Sequence, residues 1–256
     1  MAKRIPRIRI IAGPNGSGKS TLIGQLRLRA EARKSRFSLG QFLNADDLLI
    51  QVNEFGYLDF TQYKLNPKNR AWEQFLRRQN SILRLSKKAV RLSKLKIQNN
   101  RIAFGSLKID AYIASFLVEF LRNQLLKARM DFSFETVFSH PSKIDLITRA
   151  KKLGYRVYVY YVATDSPLVN IARVKSRSLK GGHDVKRSKI IERYYASLAL
   201  LPRYILDVNR AYIWDNSNAL KLIAEITEGD TLEYHETIIP QWVYNLISPL
   251  DHIRKS

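Results

Sequence analysis

The chain of 256 residues lacks cysteine altogether. Disulfides, thiolate metal sites and cysteine nucleophiles are thereby excluded, and a reducing compartment fits. It also lacks any stretch approaching the roughly 18 consecutive apolar residues of a membrane span. The N-terminal MAKRIPRIRIIAGPNGSG starts basic, but Arg7 and Arg9 interrupt an apolar part far shorter than a signal-peptide core. These absences predict a soluble, cytoplasmic protein. Acid is scarce as well: 22 Asp and Glu face 44 Lys and Arg, a formal net charge of +22. Such an imbalance predicts a polyanion, an acidic protein or a phosphorylated substrate as partner, and composition alone does not choose among them.

Enough apolar residue is present, at 45%, to bury a core and exclude wholesale disorder. Short β-branched or aromatic runs recur along the chain: IRIIAG from Ile8, QFL before Asn44, DFSFETVFSH from Asp131, YRVYVYYVA from Tyr155 and AYIWDNS from Ala211. Helical patterns separate them, among others at 142–153, 167–177 and 188–206. This alternation predicts a three-layer α/β/α fold around a mainly parallel five-stranded sheet, with YVYYVA as a central strand buried on both faces. After Asn218 the pattern changes to a hairpin turned at Gly229 and a short closing helix, so 218–256 reads as a C-terminal hairpin and helix within one domain spanning 1–256.

Residues 61–110 break the alternation. They hold 13 Lys and Arg against Glu73 and Asp110, and RLSKKAV at 84–90 is echoed seven residues later by RLSKLKI. The segment reads as a basic helical insertion, either an amphipathic helix packed on the sheet or a docking surface for an acidic partner.

GPNGSGKST, from Gly13 to Thr21, fits G-x-x-x-x-G-K-[ST], follows a predicted strand and opens a predicted helix, which is the setting that pattern requires. Gly13, Gly16 and Gly18, with Pro14, Asn15 and Ser17 between them, let the backbone close round a phosphate. Lys19 offers a cation to the β- and γ-phosphates, and Ser20, followed by Thr21, a hydroxyl ligand to magnesium. ATP and Mg²⁺ are the expected cofactors. A phosphoryl-transfer reading then needs a carboxylate near the acceptor hydroxyl. Asp46 and Asp47 follow the second strand, where Asn44 or one of the two can instead cap the next helix. Glu135 sits inside an apolar strand, an expensive place for a carboxylate without a partner or a task. Thr136 is a weaker polar candidate beside it.

In their order along the chain, GPNGSGKST, NADD, FETVFSH, RVKSRSLKGGHDV and DNS resemble the zeta toxin family of P-loop kinases, whose short members are often labelled predicted ABC-type ATPases. The resemblance covers residues 8–60 and 111 to about 247 and leaves 61–110 outside. It implies an ATP-dependent kinase acting on a small-molecule hydroxyl, with UDP-N-acetylglucosamine the acceptor in characterised zeta toxins, and an acidic antitoxin as partner. It also implies that Asp46 is the base, with Lys19 on the phosphates and Asn44, Glu135 and Thr136 on the substrate. The run ETVFSH lacks the arginine that long zeta toxins carry after the threonine, and Lys186 and Arg187 stand where many short relatives have a proline and an acid.

The basic stretch KSRSLKGGHDVKRSKI then falls where P-loop kinases place a lid over ATP. Arg173 and Arg177 lie at i and i+4 and share a helix face, predicting that both reach the phosphates as catalytic cations. Gly181 and Gly182 supply hinge freedom, and His183 and Asp184 either cap the next helix or fix the closed lid, His183 contacting substrate. From a different class, the basic insertion allows a nucleotide-controlled nucleic-acid-binding protein, or a polynucleotide kinase.

Overall fold

A computed structural model of the chain describes residues 4–32, 37–78, 92–179, 181, 185–250 and 254–255. Two compact units account for it, one built from residues 1–42 with 131–256 and the other from residues 43–130. In chain order the elements are β1 (Arg7–Ala12), α1 (Lys19–Ala32), β2 (Gln41–Leu43), α2 (Ala45–Phe55), β3 (Tyr57–Asp59), α3 (Asn69–Arg78), β4 (Ile97–Gln98), β5 (Arg101–Ala103) and α4 (Ala111–Lys127). There follow β6 (Phe132–Thr136), α5 (Ser142–Lys152), β7 (Arg156–Ala163), α6 (Pro167–Leu179), α7 (Arg187–Ile205), β8 (Arg210–Asp215), β9 (Lys221–Thr227), β10 (Thr231–Tyr234), α8 (Gln241–Ile247) and β11 (Arg254–Lys255).

The large sheet runs β11-β10-β9-β8-β7-β1-β6-β2. β1 pairs in parallel with both β6 and β7, and β7 with β8. All five strands expected from the sequence are present, but the sheet has eight. The additional three come from the tail: β9 and β10 form the hairpin turned at Gly229, and β9 lies antiparallel on β8. That pairing covers an edge of backbone N–H and C=O groups that β8 would otherwise present to water. β7 is buried along nearly its whole length, as its unbroken apolarity requires of a strand with layers on both faces.

From β1 the chain places β6 and β2 on one side and β7 and β8 on the other. The carboxyl end of β1 is therefore a topological switch point, the place where open α/β sheets form a crevice for ligands. On the face that carries α1, Leu22, Ile23 and Leu26 pack with Ile11, Tyr160, Val162 and Trp214.

The second unit contains a three-stranded antiparallel sheet, β3-β5-β4, and helices. The described part of 61–110 is thus not wholly helical: β4 and β5 form a hairpin whose turn residues Asn99 and Asn100 have φ of 47° and 60°, the conformation of a tight primed turn. α3 is amphipathic, with Trp72, Phe75 and Leu76 buried and Arg77 and Arg78 exposed. Its apolar side meets α4: Trp72 stands edge-on to Phe120 at 5.1 Å, and Phe75 lies 4.8 Å from Phe116. The copy RLSKKAV at 84–90 lies outside the described residues. Among the described residues no helix is long and apolar enough to cross a membrane.

Candidate active site

The loop between β1 and α1 is braced from three directions. Gly13 donates its N–H to Thr136 O at 3.3 Å, tying the loop to the end of β6. The Asn170 amide on α6 donates to Asn15 O at 2.7 Å, and the Asn216 amide, just past β8, donates to Ser17 O at 2.9 Å. These approaches leave no room for side chains: a Cβ on Gly13 would stand 2.0 Å from Val162 O, and one on Gly18 would stand 2.0 Å from Asn216 Nδ2. With φ of 146° and 102°, both positions also call for glycine on backbone grounds. The loop shape is held by the end of β6, by α6 and by the segment after β8 before any ligand arrives.

Lys19, only 7% exposed, folds back over this loop and donates to Gly13 O at 2.9 Å and Pro14 O at 2.8 Å. Its Nζ also lies 3.7 Å from Glu135 Oε1. Glu135 stands beside Ile11 in the parallel register, which explains how a carboxylate inside an apolar strand is tolerated: the register delivers it to the one buried cation of the loop. Ser17 Oγ is buried and has no hydrogen-bond partner among the described residues, a donor suited to an incoming phosphate oxygen. Helix α1 begins at Lys19, so its first amides face the same point. A nucleotide's phosphates fit this cradle. For magnesium the described residues hold no cluster of three carboxylates or histidines. Ser20, exposed at the helix start, together with phosphate oxygens is the donor set that remains, and it suits an ion that keeps much of its water.

The strand bearing Glu135 ends at Thr136, earlier than its sequence pattern predicts, because Phe138 takes φ of 63° and turns the chain. Thr136 Oγ1 accepts from Phe138 N at 3.3 Å, so its hydroxyl helps shape that turn.

The two arginines of α6 are not equivalent. Arg173 spends its guanidinium on backbone carbonyls, donating to Asn216 O at 2.7 Å and Ser217 O at 3.2 Å. It thereby fastens the segment whose Asn216 holds the loop, in place of the phosphate contact expected for it. Arg177, one turn on, is exposed. His183, with Gly182 and Asp184, lies outside the described residues.

Asn44, Asp46 and Asp47 belong to the second unit. Asn44 Oδ1 accepts from Asp46 N at 2.7 Å and Asp47 N at 3.3 Å, so Asn44 caps α2 and its side-chain oxygen is engaged there and not held out for a substrate. The cap leaves neither aspartate to perform that task. Asp46 is exposed on the first turn of α2. Asp47 adds to the burial that pushes the Tyr63 hydroxyl up to about 12.

Residues 111–225 match the Zeta toxin family model, under half of the chain. The matched stretch carries Glu135, Arg173 and Asn216, while the phosphate loop lies before it. An uncharacterized protein of Haemophilus influenzae (strain ATCC 51907 / DSM 11121 / KW20 / Rd) is 30% identical over 69 residues, 27% of this chain and 49% of that protein. Among solved structures, the chain is similar to the AvrRxo1-ORF1:AvrRxo1-ORF2 complex with sulphate ions, with a TM-score of 0.56 and 14% identity over 95% of this chain and 64% of that one. It is also similar to the AvrRxo1-ORF1:-ORF2 complex with ATP, with a TM-score of 0.52 and 14% identity over 88% of this chain and 59% of that one. The chain spans about half the length of the curated relative and under two thirds of these structures. At such identity the structural likeness establishes the fold.

The site contains residues that the sequence reading missed. Asn170 and Asn216 brace the loop, and Thr164 Oγ1 orients Asn170 through its Oδ1. Asp215 accepts from Ser217 Oγ at 2.7 Å and from Trp242 Nε1 at 2.8 Å, which ties the segment after β8 to helix α8. Arg193 on α7 reaches Asn15 Oδ1 at 3.3 Å and so touches the loop. The motif DNS contained two of these residues, but Arg193 is one of 44 cations and has no distinguishing spacing.

Proposed function

We propose that the chain is an ATP- and magnesium-dependent kinase that transfers the γ-phosphoryl group to a hydroxyl of a small molecule. The observation that carries this reading is the meeting, at one end of the sheet, of a braced glycine loop, the buried Lys19 and Glu135. Bound ATP with magnesium would supply the phosphoryl group. Lys19 would leave the Gly13 and Pro14 carbonyls to neutralise phosphate charge, and Glu135 would receive a substrate hydroxyl or the ion's water shell. Asp46, whose carboxylate the α2 cap does not consume, would accept the hydroxyl proton. Arg193 and Arg177 would stabilise charge developing on the transferred group, a contribution of roughly three or more powers of ten in known cases. A nucleotide sugar such as UDP-N-acetylglucosamine is the first acceptor to test. An acidic antitoxin is the partner that the net charge of +22 suits, and the similar AvrRxo1-ORF1 structures are complexes with a second chain.

One observation favours a second reading. Lys94, Lys96 and Arg101, with Gln98 and Asn99, line an open concavity of about 400 Å³ in the second unit, a surface suited to polyanions and hence to a polynucleotide acceptor.

The test is a transfer assay with labelled ATP against nucleotide sugars, nucleosides and oligonucleotides. Wild type is expected to label a small acceptor. Asp46→Asn is expected to keep its ATP affinity and lose about 10²–10⁴ in turnover. Transfer to oligonucleotides alone would establish the second reading, and an Asp46→Asn rate equal to wild type would remove Asp46 as base.

A further inference from the structure

The sheet face under α1 holds a cavity of about 270 Å³, lined by Leu26, Arg29, Phe37, Tyr160, Tyr212 and Trp214, with Leu222 and Glu225 closing one side. Arg29 stands ten residues along α1 from Lys19, about 15 Å of helix, so the cavity is separate from the phosphate loop. Its size falls just below the roughly 300–1,000 Å³ of clefts for drug-sized ligands, which suits a molecule of one or two rings.

The walls are flat and aromatic. Tyr160 and Tyr212 stack at 4.8 Å with their planes 16° apart, and the Arg29 guanidinium lies 5.7 Å from the Trp214 ring centre. Beside them, Arg9 is 3% exposed in the middle of β1, with its guanidinium 4.8 Å over Phe37 and 5.4 Å over Tyr158. Arg9 stands just behind the lining and hydrogen-bonds the Tyr160 hydroxyl, but its Nε and Nη1, with Trp214 Nε1, are buried without a hydrogen-bond partner among the described residues. A buried cation with orphaned donors is costly unless an anion meets it. Glu225 does not supply that anion: Arg210 pairs with it at 2.8 Å, and His235 approaches its other oxygen at 4.0 Å. The chain leading to Phe37, Arg33 to Arg36, contains no carboxylate. Arg9, Arg29 and Arg210 set against Glu225 leave the surroundings cationic.

We propose that this cavity binds a planar aromatic carboxylate of one or two rings, its ring against the Tyr160–Tyr212 stack and its carboxylate accepting from the unpartnered groups of Arg9 and Trp214. Position adds a consequence. Trp214 stands two residues before Asn216, so an occupant would bear on the strand end that braces the phosphate loop.

The experiment titrates the full chain with 2-naphthoate, by calorimetry and by quenching of tryptophan emission, beside 2-naphthamide and cyclohexanecarboxylate. Saturable binding of 2-naphthoate, at least tenfold tighter than either comparator and unchanged in Lys19→Ala, is expected. Leu222→Trp, which fills the cavity, is expected to abolish it. Arg9→Met is expected to erase the preference for acid over amide. This second variant keeps the test decisive if the first folds poorly. Absence of saturable binding, equal affinity for acid and amide, or binding that survives Arg9→Met with its preference intact would overturn the proposal, and each leaves the kinase reading untouched.

Discussion

The phosphate loop and the basic segment at 61–110 make opposite use of charge. The loop relies on one lysine, nearly buried, whose position is fixed by two carbonyls and whose surroundings are fixed by amides from α6 and the end of β8. The segment holds 13 Lys and Arg, and those that line its concavity are exposed. A preorganised donor costs no reorganisation when its ligand arrives, whereas scattered surface cations act mainly through a salt-screened field. The number of charges therefore says little about where chemistry occurs, and the way each is held says more.

Substitution in the loop should produce the largest effect. Gly18→Ala must push aside Asn216 Nδ2 and hold a left-handed φ, so ATP binding is expected to fall by more than about a hundredfold, the scale of several kcal/mol. A fluorescent nucleotide titration reads this, with circular dichroism confirming the fold. Retained affinity would mean that the loop is not preorganised as described. Asn216→Ala comes next, because it removes one brace but no ligand contact. Losing that bond should cost about 1–3 kcal/mol through the unsatisfied Ser17 carbonyl and weaken ATP by about tenfold. The melting temperature and the same titration measure both.

These braces also mark the limit of what sequence reading reached. The glycine loop was legible because its pattern specifies backbone shape directly, and Glu135 was legible because a carboxylate in an apolar strand demands a partner. Asn170 and Asn216 are ordinary amides 155 and 199 residues from the carbonyls they hold, and local pattern carries no information across that distance. Arg173 shows a related failure. Spacing at i and i+4 identified a shared helix face, but not that the first arginine would be taken up by carbonyls of the segment after β8. The hairpin at Gly229 was legible as a hairpin, whereas its addition to the edge of β8 is a long-range pairing. In the basic segment, the density of lysine and arginine obscured Trp72 and Phe75, and β4 and β5 are too short to show a period of two.

The complementary experiment works on the other side of the comparison. Lys94→Ala with Lys96→Ala is expected to leave ATP affinity within about twofold of wild type. Should the segment bind a polyanion, the double variant should lower the salt slope of that binding by roughly two, one for each phosphate contact removed. A large loss of ATP affinity would erase the distinction between held and unheld cations.

The smallest effect concerns a cation of the segment that is held by a buried carboxylate. Arg101 Nε donates to Asp59 Oδ2 at 2.7 Å and lies 4.5 Å over Tyr57. Asp59 is buried, and its carboxyl is held below the usual range chiefly by the Thr61 hydroxyl, against the opposing effect of burial, with further help from the Thr61 amide and Arg101. A carboxylate lowered in the folded state contributes stability that is complete above its unfolded value, near 3.9, and is lost as pH falls through the folded value. Hydrogen exchange of β3 and β5 should therefore accelerate below about pH 4 in wild type. Asp59→Asn should exchange faster at neutral pH and change less in that window. Equal pH profiles would show that Arg101 and Thr61 hold the carboxylate no better than water does, and Arg101 would then join the scattered surface cations in kind.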